Sequence, residues 1–518
     1  MPRTPLARLL VSAWQRADAE MGERAAPAGG FTRRELIARA GALGVGAAAV
    51  SVGGYTAPAV AAVAPRIAVV GAGLAGLSAA YQLKKAGYLA KVYEASPRVG
   101  GRCWTYAPGE FAGGQISEHG GELIDQNHTE LRQLVQELGL NLDSLVAAEP
   151  HGTEMMGHFF GKPYSYAQAT ADIKTIWQQI HRDVSEASYP TLYNSYTPRG
   201  WELDHTSIYD YIELYVPGGH RSPLGQLLDV AYNIEYGAET REQSSLNMLY
   251  LLAYSGQGQL RIFGPSNEKY HVRGGNDQVT KRLAEKLTGQ ITTDVALRAI
   301  ARNTSGSYTL AWSNGRTTTA DRVVLALPFS LLRKVDYAKA GFNPMKRKAI
   351  ALSAMGANSK LHLQFDERVW YEHGSNGETY SDRGYQSSWE VSRAQPGTRG
   401  LMVNYSGGDY AKTFSPANGS ATDRAREFLR QIEPVLPGIT AAWTGVAYID
   451  DWPNHRWTLG SYSFLRVGAY TDFSGAEGEV SGACHFAGEH TSIDFQGFLN
   501  GAVESGYRAA AEIFAAYK

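Results

Sequence analysis

The sequence predicts an α/β protein in which a discontinuous, parallel-sheet domain is interleaved with a mixed α+β domain. Three observations predict it. A wholly apolar run, Ile67-Ala-Val-Val70, leads into the turn Gly71-x-Gly73-x-x-Gly76 and then into helical spacing at Leu74, Leu77 and Tyr81. That is the strand, turn and helix of a βαβ unit. Similar buried-strand runs return far downstream, at Asp321-Arg-Val-Val-Leu-Ala-Leu327 and Phe486-Ala-Gly, as strands covered on both faces should. The long stretches between them differ in character, with many aromatics and strand-like alternation.

In chain order, residues 1–64 read as a processing segment. Leu6, Leu10 and Trp14 are spaced for a short amphipathic helix; Thr32-Arg33-Arg34-Glu-Leu-Ile, an Ala/Gly-rich run and the A-x-A sites Ala59-Val-Ala61 and Ala62-Val-Ala64 follow. Together they match a twin-arginine export signal. A periplasmic or secreted protein is expected if the leader functions, a cytoplasmic one otherwise. The apolar run is too Gly/Ala-rich, and too soon broken by Pro58, for a membrane span. From residue 65 the pattern is β-α-β, with Gly87 as helix stop and 89–93 as the next strand. Residues 126–264 begin helically (Leu131, Leu134, Leu138) and turn polar-aromatic over 189–215. His271-Val-Arg-Gly274-Gly275-Asn opens a helix bearing Val279, Leu283 and Leu287. Residues 331–449 contain the alternating strand Lys360-Leu-His-Leu-Gln-Phe365 and the aromatics Trp370, Tyr380, Tyr385 and Trp389, which read as packing and secondarily as a pocket wall. The predicted nucleotide domain is therefore 65–125, 265–330 and 450–518, and the second domain 126–264 and 331–449.

With 518 residues, 44% of them hydrophobic, the chain has ample material for two cores. A formal net charge of -1, without long runs of one sign, lacks the footprint of a general nucleic-acid or acidic-membrane binder. Cys103 and Cys484 are the two cysteines, which excludes a disulfide scaffold and a four-cysteine zinc site; they read as buried thiols, with a bridge between them as the alternative. No metal is expected.

The chemistry sits in two distant segments. Gly71 permits the tight turn, Gly73 lets the backbone approach a pyrophosphate, and Gly76 lets helix and strand pack. Phosphates then lie on the helix start at Leu74 and Ala75, where free N–H groups and the dipole attract anions. Glu94, followed by Ala95, suits ribose hydroxyls and disfavours a 2′-phosphate. Gly100-Gly101-Arg102 adds close backbone and a guanidinium fork for pyrophosphate. Gly120-Gly121-Glu122-Leu123 suits a backbone lying against an isoalloxazine, and Glu489 suits ribityl hydroxyls. Gly497-Phe498-Leu499 opens a helix whose N-terminus would stabilise negative charge on a reduced flavin. The pattern as a whole predicts FAD.

These motifs, in this order, resemble those of the flavin monoamine oxidase and L-amino-acid oxidase superfamily, over essentially everything after residue 65. The resemblance implies a glutathione-reductase-type FAD-binding Rossmann domain plus a substrate domain. It also implies hydride removal from a C–H beside an amine and electron transfer to O2, giving a carbonyl compound, ammonia and hydrogen peroxide. Met355-Gly-Ala-Asn-Ser-Lys360 resembles the family stretch whose lysine holds a water at the flavin, so Lys360 is the expected aid to oxygen chemistry. Trp452-Pro-Asn-His-Arg-Trp457-Thr-Leu-Gly-Ser461-Tyr462 resembles the segment beneath the ring: Trp452 and Trp457 near the flavin, Tyr462 one wall of an aromatic cage, Phe498 the other. Val295 falls where a backbone contact to adenine is implied.

Two departures matter. Where covalent monoamine oxidases carry cysteine, this chain has Ser461, so FAD is expected to be non-covalent. Where venom-type L-amino-acid oxidases place a carboxylate-binding arginine, it has Leu123; an amino-acid substrate would need another cation, because an unpaired buried carboxylate is costly. Tyr380-Ser-Asp-Arg-Gly-Tyr-Gln386-Ser-Ser-Trp389-Glu-Val-Ser-Arg393 resembles bacterial members often associated with L-amino-acid oxidation. The expected substrate is accordingly an L-amino acid, with monoamine or polyamine oxidase as the alternative and a non-catalytic FAD-binding protein or a C–C desaturase as remoter readings. A homo-oligomer, a dimer, is expected.

Overall fold

The computed structural model describes residues 64–257 and 259–517. The leader signals at 1–63 lie outside the described residues. A five-stranded parallel sheet runs in the order Cys484–Phe486, Arg322–Leu325, Ile67–Val70, Ala90–Tyr93, Ile291–Thr292. Its strands come from early, middle and late segments, and the apolar runs sit in it because both faces are covered. On one face lie helices Leu74–Lys85 and Leu499–Ala515, packed so closely that a Cβ on Gly506 would fall 2.4 Å from the Ala75 carbonyl oxygen. On the other lies an antiparallel meander, Leu297–Arg302, Tyr308–Trp312 and Thr317–Ala320.

The second sheet has seven strands in the order Trp443–Asp451, Asn358–Phe365, Gly400–Gly407, Ser387–Glu390, Ser375–Ser381, Glu154–Phe159, Lys162–Tyr164. It is antiparallel except where Ser375–Ser381 meets Glu154–Phe159. The alternation at 360–365 is realised in an unexpected form, since every residue of that strand is buried. Leu361, Leu363 and Phe365 enter an apolar core with Met402, Phe428 and Leu429. Lys360, His362 and Gln364 face the segment 112–122 and bond to it. A helical layer spanning Tyr166–Ile173 to Ser245–Leu252 packs against this sheet.

The segment boundaries differ from expectation in three places. Helix Thr129–Glu137 buries Leu131, Leu134 and Val135 in the core of the parallel sheet rather than in the inserted domain. Helix Pro344–Leu352 likewise packs into the core that holds the meander. Strand Trp443–Asp451 crosses the predicted division at 450 and edges the seven-stranded sheet. Apolar periodicity reports that an element buries a face but not which core receives it. Cys103 and Cys484 are both free and buried.

Candidate active site

The C-terminal ends of the parallel strands open on a cavity of about 450 Å³, with Gly71, Glu94, Ala326 and Gly488 at its wall, where α/β sheets place ligands. The glycines divide by task. Cβ atoms on Gly71 and Gly76 would fall 2.6 Å from the Ala326 carbonyl oxygen and 2.0 Å from that of Gly71. Gly73 faces open space, and a Cβ on Gly101 would meet only the Gly73 Cα, at 3.4 Å. Gly73 and Gly101 therefore form a cradle that side chains would fill. Gly76 is absent from the cavity wall and does the packing expected of it, helix on turn.

Leu74 and Ala75 present the helix start to the cavity. Glu94 is buried at the end of its strand, with its carboxylate accepting from the Ala72 N–H at 2.7 Å and the Ser96 N–H at 2.8 Å. Ala95 and Val295 line the same end, and the Val295 N–H donates to the Glu94 carbonyl at 2.8 Å. Arg102 donates to the Ser461 carbonyl and to Glu489, each at 2.8 Å. Glu489 also accepts from Ser463 Oγ at 2.8 Å and the Gly497 N–H at 2.7 Å. Burial opposes its ionisation, but the Arg102 guanidinium, aided by His490 and Ser463, prevails and brings it down to about 2. Glu489 thus organises the wall as well as lining it.

At the other end, Gly120, Gly121, Glu122 and Leu123 face Trp452, Trp457, Tyr462, Gly497, Phe498 and Leu499. Trp452 is held by a 2.8 Å bond from its indole N–H to the His119 carbonyl. The Tyr462 hydroxyl donates to the Ile234 carbonyl at 3.1 Å and meets the Tyr405 hydroxyl at 2.5 Å. Phe498 caps helix Leu499–Ala515, whose N-terminus opens on the cavity. Lys360, 5% exposed, makes a 2.8 Å ion pair with Glu122 and donates to the Gly120 and Glu118 carbonyls at 2.9 and 3.1 Å. Trp389 completes the group, donating to Glu122 at 3.1 Å. Burial alone would raise the Glu122 carboxyl; Lys360 holds it below its ordinary value.

All the predicted residues except Gly76 line this one cavity. Of the aromatics offered as a pocket wall, Trp389 lines it, whereas Trp370 packs on Phe365 and Tyr385 on Phe428. Sequence reasoning missed Arg98, Tyr405, Glu268 and His490 on the wall. Tyr405 is brought in by pairing opposite Lys360 in the sheet, which no local pattern reveals. Ser461 bonds to the Gly356 carbonyl and to Asn358 and offers no thiol.

The donor set fits FAD. A helix start and glycine cradle suit the pyrophosphate, Glu94 suits the ribose, and a second helix start with Trp452 and the Gly120-Gly121 backbone suits the ring. The fold and this wall define a flavin-dependent oxidoreductase. The profile of the flavin containing amine oxidoreductase family matches residues 74–514, and the chain belongs to that family. It is 23% identical to a probable flavin-containing monoamine oxidase A of Dictyostelium discoideum, over 85% of this chain and 95% of that one. It is 25% identical to an L-amino acid dehydrogenase of Synechocystis, over 85% and 93% respectively. Its fold matches the solved cyclohexylamine oxidase from Brevibacterium oxydans with a TM-score of 0.75 at 21% identity, covering 88% of this chain and 99% of that one.

Proposed function

We propose that the protein oxidises an amine at the carbon bearing the nitrogen and passes the electrons to O2. One observation carries the choice of an amine over an amino acid: around Lys360, Tyr462 and Phe498 the wall holds the carboxyl side chains Glu122 and Glu268, and the nearby cations Lys360 and Arg102 are already paired with Glu122 and Glu489. Glu122 lies beside Lys360, and Glu268 is tied to this end because its N–H donates to Asp125, the neighbour of His128, whose ring packs on Phe498 at 5.0 Å. The arginines on the wall are Arg98, Arg102, Arg298 and Arg456. Arg98 is held by the Gly101 carbonyl and Arg102 by Glu489, Arg298 follows Val295 at the adenine end, and Arg456 lies over Trp457. Lys360 already pairs with Glu122. A substrate carboxylate would have to displace Glu122 from Lys360 or Glu489 from Arg102, or draw Arg456 off Trp457.

FAD, when bound, supplies the hydride acceptor. The protein's share is positioning. Tyr462, fixed by Ile234 and Tyr405, and Phe498, fixed as a helix cap, wall the approach and exclude water. A neutral amine loses hydride from its α-carbon to become an iminium, which water hydrolyses to a carbonyl compound and ammonia. O2 takes the two electrons with two protons as hydrogen peroxide, and Lys360 offers the cation for that reduction.

Two observations favour an L-amino acid as the second reading: the likeness of 380–393 to bacterial members often associated with L-amino-acid oxidation and the similarity to the Synechocystis enzyme. Its carboxylate would then need the Tyr462 hydroxyl to leave the Ile234 carbonyl, or Arg456 to leave Trp457. Anaerobic titration of the yellow protein with monoamines, diamines, L-amino acids and D-amino acids separates the two readings. Bleaching of the oxidised flavin band is expected with amines; bleaching by L-amino acids alone would overturn the amine reading.

A further inference from the structure

A second cavity, of about 310 Å³, adjoins the first, and His490 lies on the wall of both. Its wall is aromatic and acidic. Tyr189, Tyr250 and Tyr470 stand edge to face, Tyr189 to Tyr250 at 76° and Tyr250 to Tyr470 at 72°, with centroids 4.9 and 5.9 Å apart. All three rings line the cavity, so its wall is rich in aromatic surface. Asp494 and Glu477 line the same cavity, and no lysine or arginine is among its described lining residues. The mouth is open and apolar, for Tyr189, Tyr254 and Ile493 are 54%, 53% and 51% exposed.

His490 is the second, independent sign of an occupant. It is 3% exposed, and neither ring nitrogen has a hydrogen-bond partner. Burial, partly offset by Glu489, brings its pKa down to about 4, so at neutral pH it carries one donor and one acceptor. Buried polar atoms seldom remain unsatisfied, and the spaces beside this ring are the two cavities.

We propose that this tyrosine-walled cavity is a second binding site, for an organic ammonium ion, distinct from the redox cavity. Perpendicular aromatic faces attract a cation through their quadrupoles. Asp494, 3.3 Å from the Tyr189 hydroxyl, supplies the counter-charge at the mouth. Glu477 lies deeper; burial raises its carboxyl to about 7, opposed by Lys346, whose ammonium donates to the Glu477 carbonyl. The site stands whether or not the redox cavity takes amines.

The test is calorimetry on the FAD-loaded protein with choline and its uncharged isostere 3,3-dimethylbutan-1-ol. Choline should bind at one site, and the isostere at least about tenfold more weakly, consistent with the loss of a desolvated cation–π contact. Asp494→Asn and Tyr189→Leu, both at the solvent-facing mouth, should each weaken choline about fivefold or more while FAD stays bound. Phe498→Ala, in the redox cavity, should leave choline binding unchanged. Equal binding of the isostere would reduce the site to an apolar hole. Absence of choline binding, or its loss in Phe498→Ala but not in the mouth variants, would overturn the proposal. The comparison of choline with its isostere uses the unmodified protein and survives a mouth variant that fails to fold. Flavin bleaching by amines reports on the redox cavity separately.

Discussion

Replacing Lys360 with methionine is expected to slow reaction with O2 far more than reaction with substrate. The ammonium is locked by Glu122 at 2.8 Å and two carbonyls, so it acts as a fixed charge. One preorganised donor aimed at developing negative charge contributes about 10²–10³ in rate. Lys360→Met should therefore slow reoxidation about 10²-fold or more. The sign of its pH dependence follows from Glu122. In the native protein Lys360 holds this carboxyl below its ordinary value. Without the cation, burial dominates and the pKa rises. Glu122 in the variant should be neutral at low pH and ionise as pH rises, placing an unpaired negative charge where oxygen is reduced. Reoxidation of Lys360→Met should thus fall further with increasing pH, whereas Lys360→Met/Glu122→Gln should show no such fall. The assay is stopped-flow: reduce with dithionite, which bypasses the substrate question, mix with oxygenated buffer and follow the return of flavin absorbance. Reoxidation within threefold of the native rate, or an equal slowing of substrate reduction, would refute the role.

The two kinds of glycine should behave differently. Gly73→Ala is expected to keep apoprotein stability and weaken FAD retention, while Gly76→Ala, whose Cβ would lie 2.0 Å from a backbone oxygen, should destabilise the apoprotein by about 1–3 kcal/mol; thermal unfolding with and without FAD distinguishes them. Glu489 is held at about 2 in the fold, against about 4.3 when unfolded. Its contribution, about 3 kcal/mol at 1.36 kcal/mol per unit, is present above the unfolded value and lost as pH falls towards 2; denaturant titrations of the native protein and Glu489→Gln across that window should converge at the acid end, and parallel curves would count against it. With Ser461 at the tether position, acid precipitation should leave the flavin in the supernatant, and yellow colour in the pellet would contradict a non-covalent site.

The nucleotide end was legible because its chemistry is local. Gly71, Gly73, Gly76 and Glu94 lie within one βαβ unit, and each glycine has a steric reason visible in the spacing. The strand at 360–365 was legible as an alternation, but not its neighbours, because Tyr405 and Asp450 face Lys360 only through sheet register. Glu122 was expected as part of a glycine segment; its pairing with Lys360 joins residues far apart in the chain and carries no local signature. His490 carried no signal in the sequence, since its missing partners become visible only once the space on either side is known.

Glu489 has a consequence for how the protein acquires its cofactor. Its carboxylate already clasps Arg102, Ser463 and the start of the last helix, so three remote stretches of chain are stapled together in the protein alone. Groups tied in this way have little freedom left to lose to a ligand, which is how a preorganised wall favours binding. Stripped apoprotein should accordingly behave as a ready-made socket, refilling without refolding and accepting flavins altered at positions the wall does not grip.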